Sequence, residues 1–191
     1  MAKSDVAHHA LAAQFEAHSV DRKYQAIVFG VPDAADPRLR GLRGISFEPG
    51  NVLKITTRLA RHKTDRQRQA VIWDAGRHAV TRARFLEGFG APETISLVQC
   101  QLETGRTHQI RVHMAYAGHG LIGDPVYGGA RKLSAKSLAP EAIKALSDFP
   151  RQALHAATLG FEHPISGEML QFEAPLPGDM RELLQVLRAV L

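Results

Sequence analysis

The chain is short of everything that would place it in a membrane or an oxidising compartment. It has one cysteine, Cys100, in 191 residues, which rules out an internal disulfide and fits a reducing compartment. The surroundings of that cysteine, VQCQL, alternate as in a strand, so a buried thiol is expected there rather than a nucleophile. No apolar run approaches the roughly 20 residues of a membrane span. The opening MAKSDVAHHALAAQF has no secretory hydrophobic segment and no cleavage pattern, and a cytoplasmic protein is expected. Ten histidines are present but no HExxH. His8 and His9 are adjacent and point apart, and His108 and His113 are five residues apart, unlike the i, i+4 pair of a zinc helix. No metal site is expected. Internal repeats and low-complexity segments are missing as well.

What is there is enough for one globular domain. Hydrophobic residues make up 45% of the chain, sufficient for a core at this length. The net charge is +5 but it is unevenly spread. From Arg38 to Arg84, twelve Lys/Arg face three Asp/Glu, and the remainder has twelve against sixteen. A basic central stretch in an otherwise mildly acidic chain suits an extended anionic partner, most simply a nucleic acid. The same charges would also serve as solvated strand edges.

Periodicity gives the elements. Ser4 can cap a helix running to about His18, with Val6, Ala10, Leu11 and Phe15 as its packing face. Arg22–Gly30 reads as a strand with Tyr24, Ala26 and Val28 on one face. The stretch from Val31 to Asn51 is punctuated by prolines and glycines and reads as loop. Val52–Leu59 is a short strand. Ala60–Gln69, ARHKTDRQRQ, is a polar basic hairpin or loop, whose Arg61, Lys63, Arg66 and Arg68 are candidates for phosphate contacts. Ala70–Asp74 and His78–Leu86 are strands about an Ala75-Gly76 turn, and Thr94–Leu102 is another. Arg131–Pro150 is a connection in which Pro140 opens a short helix, with Ile143 and Leu146 apolar. Leu154–Phe161 and Met169–Ala174 form a hairpin about Pro164–Gly167. Asp179–Leu191 closes the chain as an amphipathic docking helix, with Met180, Leu183, Leu184, Leu187 and Leu191 on one side. The pattern predicts an α+β fold with a mixed, mainly antiparallel sheet and flanking helices.

The most informative stretch is Leu102–Gly129, LETGRTHQIRVHMAYAGHGLIGDPVYGG. It turns at Gly105, enters a helix for which Thr107 can supply the cap, and stops at Gly118. Ile110, Met114 and Ala117 share the apolar face, with His108 and Arg111 along its edge. A helix start beside Arg106, His108 and Arg111 suits a phosphate or a carboxylate. Asp124, in Gly-Asp-Pro, reads as a turn residue.

The run TGRTHQIRVHM followed by GHGLIGDPVYGG closely resembles the signature of RluA-type RNA pseudouridine synthases. The strand RKYQAIVFG and the segment LHAATLGFEHPISGEMLQFEAPLP resemble the same family. The resemblance implies a pseudouridine synthase fold and an isomerase that converts uridine to pseudouridine in structured RNA, ribosomal or transfer, without cofactor or metal. It assigns Tyr24 as the active-site tyrosine that packs against the target base and is a candidate for removing the C5 proton. It assigns Arg111 as the arginine that pairs with the catalytic aspartate. Arg106 and His108 lie in the motif without an assigned chemical step, and phosphate binding or packing is expected of them. His155 is expected to be structural. The family's nucleophilic aspartate lies in an Arg-Leu-Asp motif that these 191 residues do not contain. Asp5, Asp21 and Asp124 lack that context. The expectation is therefore a monomeric, N-terminally truncated catalytic domain over 1–191, inactive by itself. A catalytically inactive RNA-binding remnant is the alternative.

Overall fold

The computed structural model describes residues 2–129 and 133–189. Arg131 of the predicted connection and Leu191 of the predicted closing helix lie outside these residues. The elements in chain order are α1 (Asp5–Glu16), β1 (Asp21–Phe29), β2 (Ile45–Glu48), β3 (Val52–Arg61), β4 (Gln69–Ile72) and β5 (Arg77–Phe89). Then follow β6 (Ile95–Leu102), α2 (Gln109–Tyr116), α3 (Pro140–Ser147), β7 (Leu154–Glu162), β8 (Met169–Glu173) and α4 (Gly178–Ala189). The strands form one sheet in the order β2-β3-β5-β6-β1-β7-β8, with β4 also on β3. Every strand pair described is antiparallel. β2 pairs with the first half of β3 and β4 with its second half.

Two apolar layers flank the sheet because residues alternate along the central strands. Ile27 of β1 points to one side, where α3 and α4 bury Leu146, Met180, Leu184 and Leu187. Ala26 and Val28 point to the other, where α2 buries Ile110 and Met114 and the half-buried Tyr24 packs at the margin. Helix α4 docks through the predicted stripe: Met180, Leu183, Leu184 and Leu187 are all buried. Each such side chain contributes about 1.5–3 kcal/mol on leaving water. Cys100 is buried on β6, and burial pushes its thiol up to about 12. It is an inert core residue.

Several expectations are corrected. Helix α1 is capped by Ser4, whose side chain accepts from Ala7 N–H, but it buries none of its residues. Val6 is 65% and Phe15 45% exposed. Its tie to the sheet is polar instead: Gln14 donates to the Glu162 carbonyl and accepts from the Glu162 N–H, at 2.7 and 2.9 Å. The segment read as loop contains β2, because Ile45–Glu48 finds the free edge of β3. Strand β5 runs on through Phe89 and is longer than the alternation indicated, since a bulge between Phe85 and Glu87 breaks the period. Thr107 does not cap α2. The N-cap is His108, held at φ +56°, with no side-chain hydrogen bond to the helix.

Candidate active site

The loop Thr104–His108 is set by Gln109, the first residue of α2. Its side chain is buried. Oε1 accepts from the Thr104 hydroxyl at 2.7 Å and the Arg106 N–H at 3.0 Å. Nε2 donates to the Val80 carbonyl at 2.9 Å and the Thr81 hydroxyl oxygen at 3.0 Å. This amide fastens the loop and the helix start to β5. One turn on, His113 is buried between Thr81, 2.9 Å from Nδ1, and Thr57, 2.8 Å from Nε2. Burial lowers its pKa to about 3, so it stays neutral. Gln109, Thr81, His113 and Thr57 thus form one buried hydrogen-bonded row, in which a neutral imidazole donates through one ring nitrogen and accepts through the other. Sequence reading missed both residues, because their partners lie on other strands.

This frame presents a cleft of about 310 Å³ lined by Tyr24, Arg106, His108, Arg111, Leu102, Gln152 and Leu154, among others. Four of the residues singled out in the sequence therefore line one cleft. Tyr24 comes from β1, between Cys100 of β6 and Ala156 of β7. Arg106 is tethered through Nε to the His78 carbonyl at 3.0 Å. Burial and the Arg111 charge lower the pKa of His108, with Asp124 opposing them.

Arg111 is held by Asp124. Its Nε donates to Oδ2 and its Nη2 to Oδ1, both at 2.8 Å. The two side chains are 11% and 0% exposed. Asp124 is also the turn residue it was expected to be, since Oδ1 accepts from the N–H groups of Val126 and Tyr127 at 2.9 and 3.0 Å. Burial would raise its pKa, but the Arg111 hydrogen bonds and the two backbone N–H bonds outweigh it and leave the carboxyl below its ordinary value. Neither bond to Asp124 uses Nη1 of Arg111, which leaves a donor for a second anion.

Tyr127 joins the cleft to the basic hairpin. Its hydroxyl accepts from the Gln69 N–H at 2.7 Å and lies 3.1 Å from His108 Nδ1. Arg111 and Arg68 stand 4.9 and 5.5 Å from its ring centroid. Arg68 is thus drawn to the site, while Arg61 ends β3 and Lys63 and Arg66 are exposed near the hairpin tip. The signal for Tyr127 was its place in the GDPVYGG turn. His155 does not line the cleft; its Nε2 donates to the Ala174 carbonyl at 3.0 Å.

Comparison with known proteins identifies the family. The family model described as RNA pseudouridylate synthase matches residues 1–116, and the chain belongs to that family. It is 45% identical over 188 residues to the ribosomal large subunit pseudouridine synthase D of Zymomonas mobilis, covering 98% of this chain and 51% of that protein. It is 42% identical to the protein of the same name in Pseudomonas aeruginosa, covering 98% and 52%. The chain spans about half the length of the curated relatives it matches. Among solved structures, human RNA pseudouridylate synthase domain containing 1 has the same fold, with a TM-score of 0.63, 22% identity, and coverage of 98% and 73%. No helix among the described residues is long and apolar enough to cross a membrane.

Proposed function

We propose that this chain is the later part of the catalytic domain of an RNA pseudouridine synthase that isomerises uridine in large-subunit ribosomal RNA. It acts in the cytoplasm as a monomer. The observation that carries the reading is the single cleft shared by Tyr24, Arg106, His108 and Arg111. The reaction breaks the N1–C1′ bond, turns the detached uracil and rejoins it through C5. Tyr24 supplies the ring beneath the base and a group for the C5 proton. Arg111, fixed on its Nε–Nη2 edge by Asp124, offers Nη1 to the nucleophilic carboxylate. That carboxylate belongs to the Arg-Leu-Asp motif absent from these residues. The hairpin arginines and Lys63 hold phosphates and keep the RNA in register. The target base must leave its stack to reach Tyr24.

Tritium release from a ribosomal RNA fragment labelled at uridine C5 tests this. A chain that includes the Arg-Leu-Asp segment releases tritium, and Tyr24→Ala and Arg111→Gln abolish it. The 191 residues alone bind the fragment and release none. Failure of the extended chain on any ribosomal fragment would remove the assignment.

A further inference from the structure

His108 holds a backbone conformation for which the helix it starts gives no reason. Its φ is +56°, in the left-handed region that few residues other than glycine occupy. It is the N-cap of α2, yet its side chain makes no hydrogen bond to the helix. A glycine there would relieve the strain, and an asparagine would supply a cap. Strain of this kind, kept beside a cleft, points to a side chain that is used elsewhere.

The ring is aimed by Tyr127. His108 Nδ1 lies 3.1 Å from the Tyr127 hydroxyl, and the two rings meet edge to face with centroids 5.7 Å apart. The same hydroxyl accepts from the Gln69 N–H at 2.7 Å. A phenol has one proton to give, and this geometry suits a hydroxyl that gives it to Nδ1. Burial and the Arg111 charge lower the His108 pKa, with Asp124 opposing them. A neutral imidazole has one acceptor nitrogen and one N–H. With Nδ1 accepting, the hydrogen sits on Nε2, which faces away from Tyr127. His108 is half-buried and lines the cleft together with Tyr24 and Arg111.

The charges of the cleft select what such a donor meets. Arg106 and Arg111 already supply cations there. A neutral N–H adds a hydrogen bond without a further charge, which suits a carbonyl oxygen, and uracil has two. When the N1–C1′ bond breaks, C1′ goes to the nucleophilic carboxylate. The electron pair stays on the detached uracil and spreads to its oxygens. A donor held in place before the reaction stabilises that charge where it develops. A neutral imidazole also keeps its proton, so the uracil remains an anion able to bond C1′ through C5. The C5 proton then leaves to the group at Tyr24, and His108 gives up none.

We propose that His108 is a catalytic residue that donates Nε2–H to a carbonyl oxygen of the target uracil, and that Tyr127 is the positioning residue that fixes this tautomer. The inference deepens the functional reading above and rests on it for the substrate. Two measurements test it. In the first, the 191-residue chain is labelled with ¹⁵N-histidine, and the ring nitrogens of His108 are read by long-range ¹H–¹⁵N correlation at neutral pH. The wild type shows the Nε2–H tautomer. Tyr127→Phe, which loses the hydroxyl, shows a share of the Nδ1–H form. In the second, tritium release and RNA affinity are followed in the chain that includes the Arg-Leu-Asp segment. Asparagine places its amide nitrogen near the position of Nδ1, and glutamine near that of Nε2. His108→Asn therefore slows single-turnover release about 100-fold, the cost of one such donor, at unchanged RNA affinity. His108→Gln recovers most of that loss. Tyr127→Phe slows release by less than His108→Asn does.

A histidine that only ties the loop to Tyr127 gives the reverse order, because asparagine keeps the tie and glutamine loses it. That order overturns the inference. So does an Nδ1–H tautomer or an imidazolium in the wild type, or a His108 spectrum that Tyr127→Phe leaves unmoved. A His108→Asn variant that weakens RNA binding and leaves the release rate alone overturns it as well. If the extended chain releases no tritium while His108 holds the Nε2–H form, the functional reading falls. The tie to Tyr127 then stands and the uracil partner is withdrawn.

Discussion

At the scale of single residues, the site depends on how two buried charges neutralise each other. Asp124 has no exposed side-chain surface and holds Arg111 by two short bonds. Removing one member leaves the other uncompensated, so Asp124→Asn is expected to cost about 3 kcal/mol in urea unfolding at pH 7. The pH dependence has a definite sign. The folded-state pKa of Asp124 lies below its ordinary value of 3.8. The stability it contributes is complete above that ordinary value and is lost as pH falls through the lowered one. Unfolding curves of the wild type and Asp124→Asn should therefore converge only in strong acid. His113 acts earlier. Its folded pKa is about 3, against 6.5 ordinarily, so below pH 6.5 the unfolded state takes up a proton that the folded state refuses. Its share of the stability is lost at about 1.4 kcal/mol per pH unit as pH falls from 6.5 towards 3. In His113→Gln that slope should be absent, which urea melts at pH 4, 5, 6 and 7 would show.

At the scale of elements, helix α4 and the β3–β4 hairpin do opposite jobs. Helix α4 is a stability element: Leu184 is buried among Met180, Leu183 and Leu187. Leu184→Ala should cost about 2–5 kcal/mol, depending on how far the site collapses, and should leave the RNA affinity of the folded protein unchanged. The hairpin is a charge element. Arg61, Lys63 and Arg66 are exposed there, and replacing all three by Gln should change the Tm little. The same triple change should weaken RNA binding uniformly across sequences, because phosphate contacts carry no base information. A variant with altered sequence preference but unchanged affinity would contradict that role.

For the whole molecule, stability should grade from the middle of the sheet outward. Strands β1, β5 and β6 are paired on both sides and carry the residues buried most completely. Helix α1 buries nothing and is tied through Gln14 to the end of β7. Strand β8 is outermost, with Met169 and Phe172 exposed. Amide exchange should be slowest in β1, β5 and β6, and near its unprotected rate in α1. Slow exchange throughout α1 would show that its packing is tighter than this description.

Most of the elements were legible in the chain alone. Strands β1, β3, β6 and β7 and helices α2 and α4 follow from periods of 2 and 3.6, which are local properties of side-chain direction. Tyr24 and Arg111, singled out in two separate segments of the sequence, line one cleft in the fold. What the chain did not disclose depends on separation. Strand β2 is four residues long and is stabilised by the edge of β3, so its own residues hardly announce it. The partnership of Arg111 with Asp124, and the clamp of Gln109 and His113 on Thr57, Thr81 and Val80, join residues from different elements. Periodicity thus determined by itself which residues turn inward and where the chain turns. Strand order and register decided which inward polar groups meet, because a hydrogen bond is satisfied only by a partner within about 3 Å, and only the packed sheet brings such partners together.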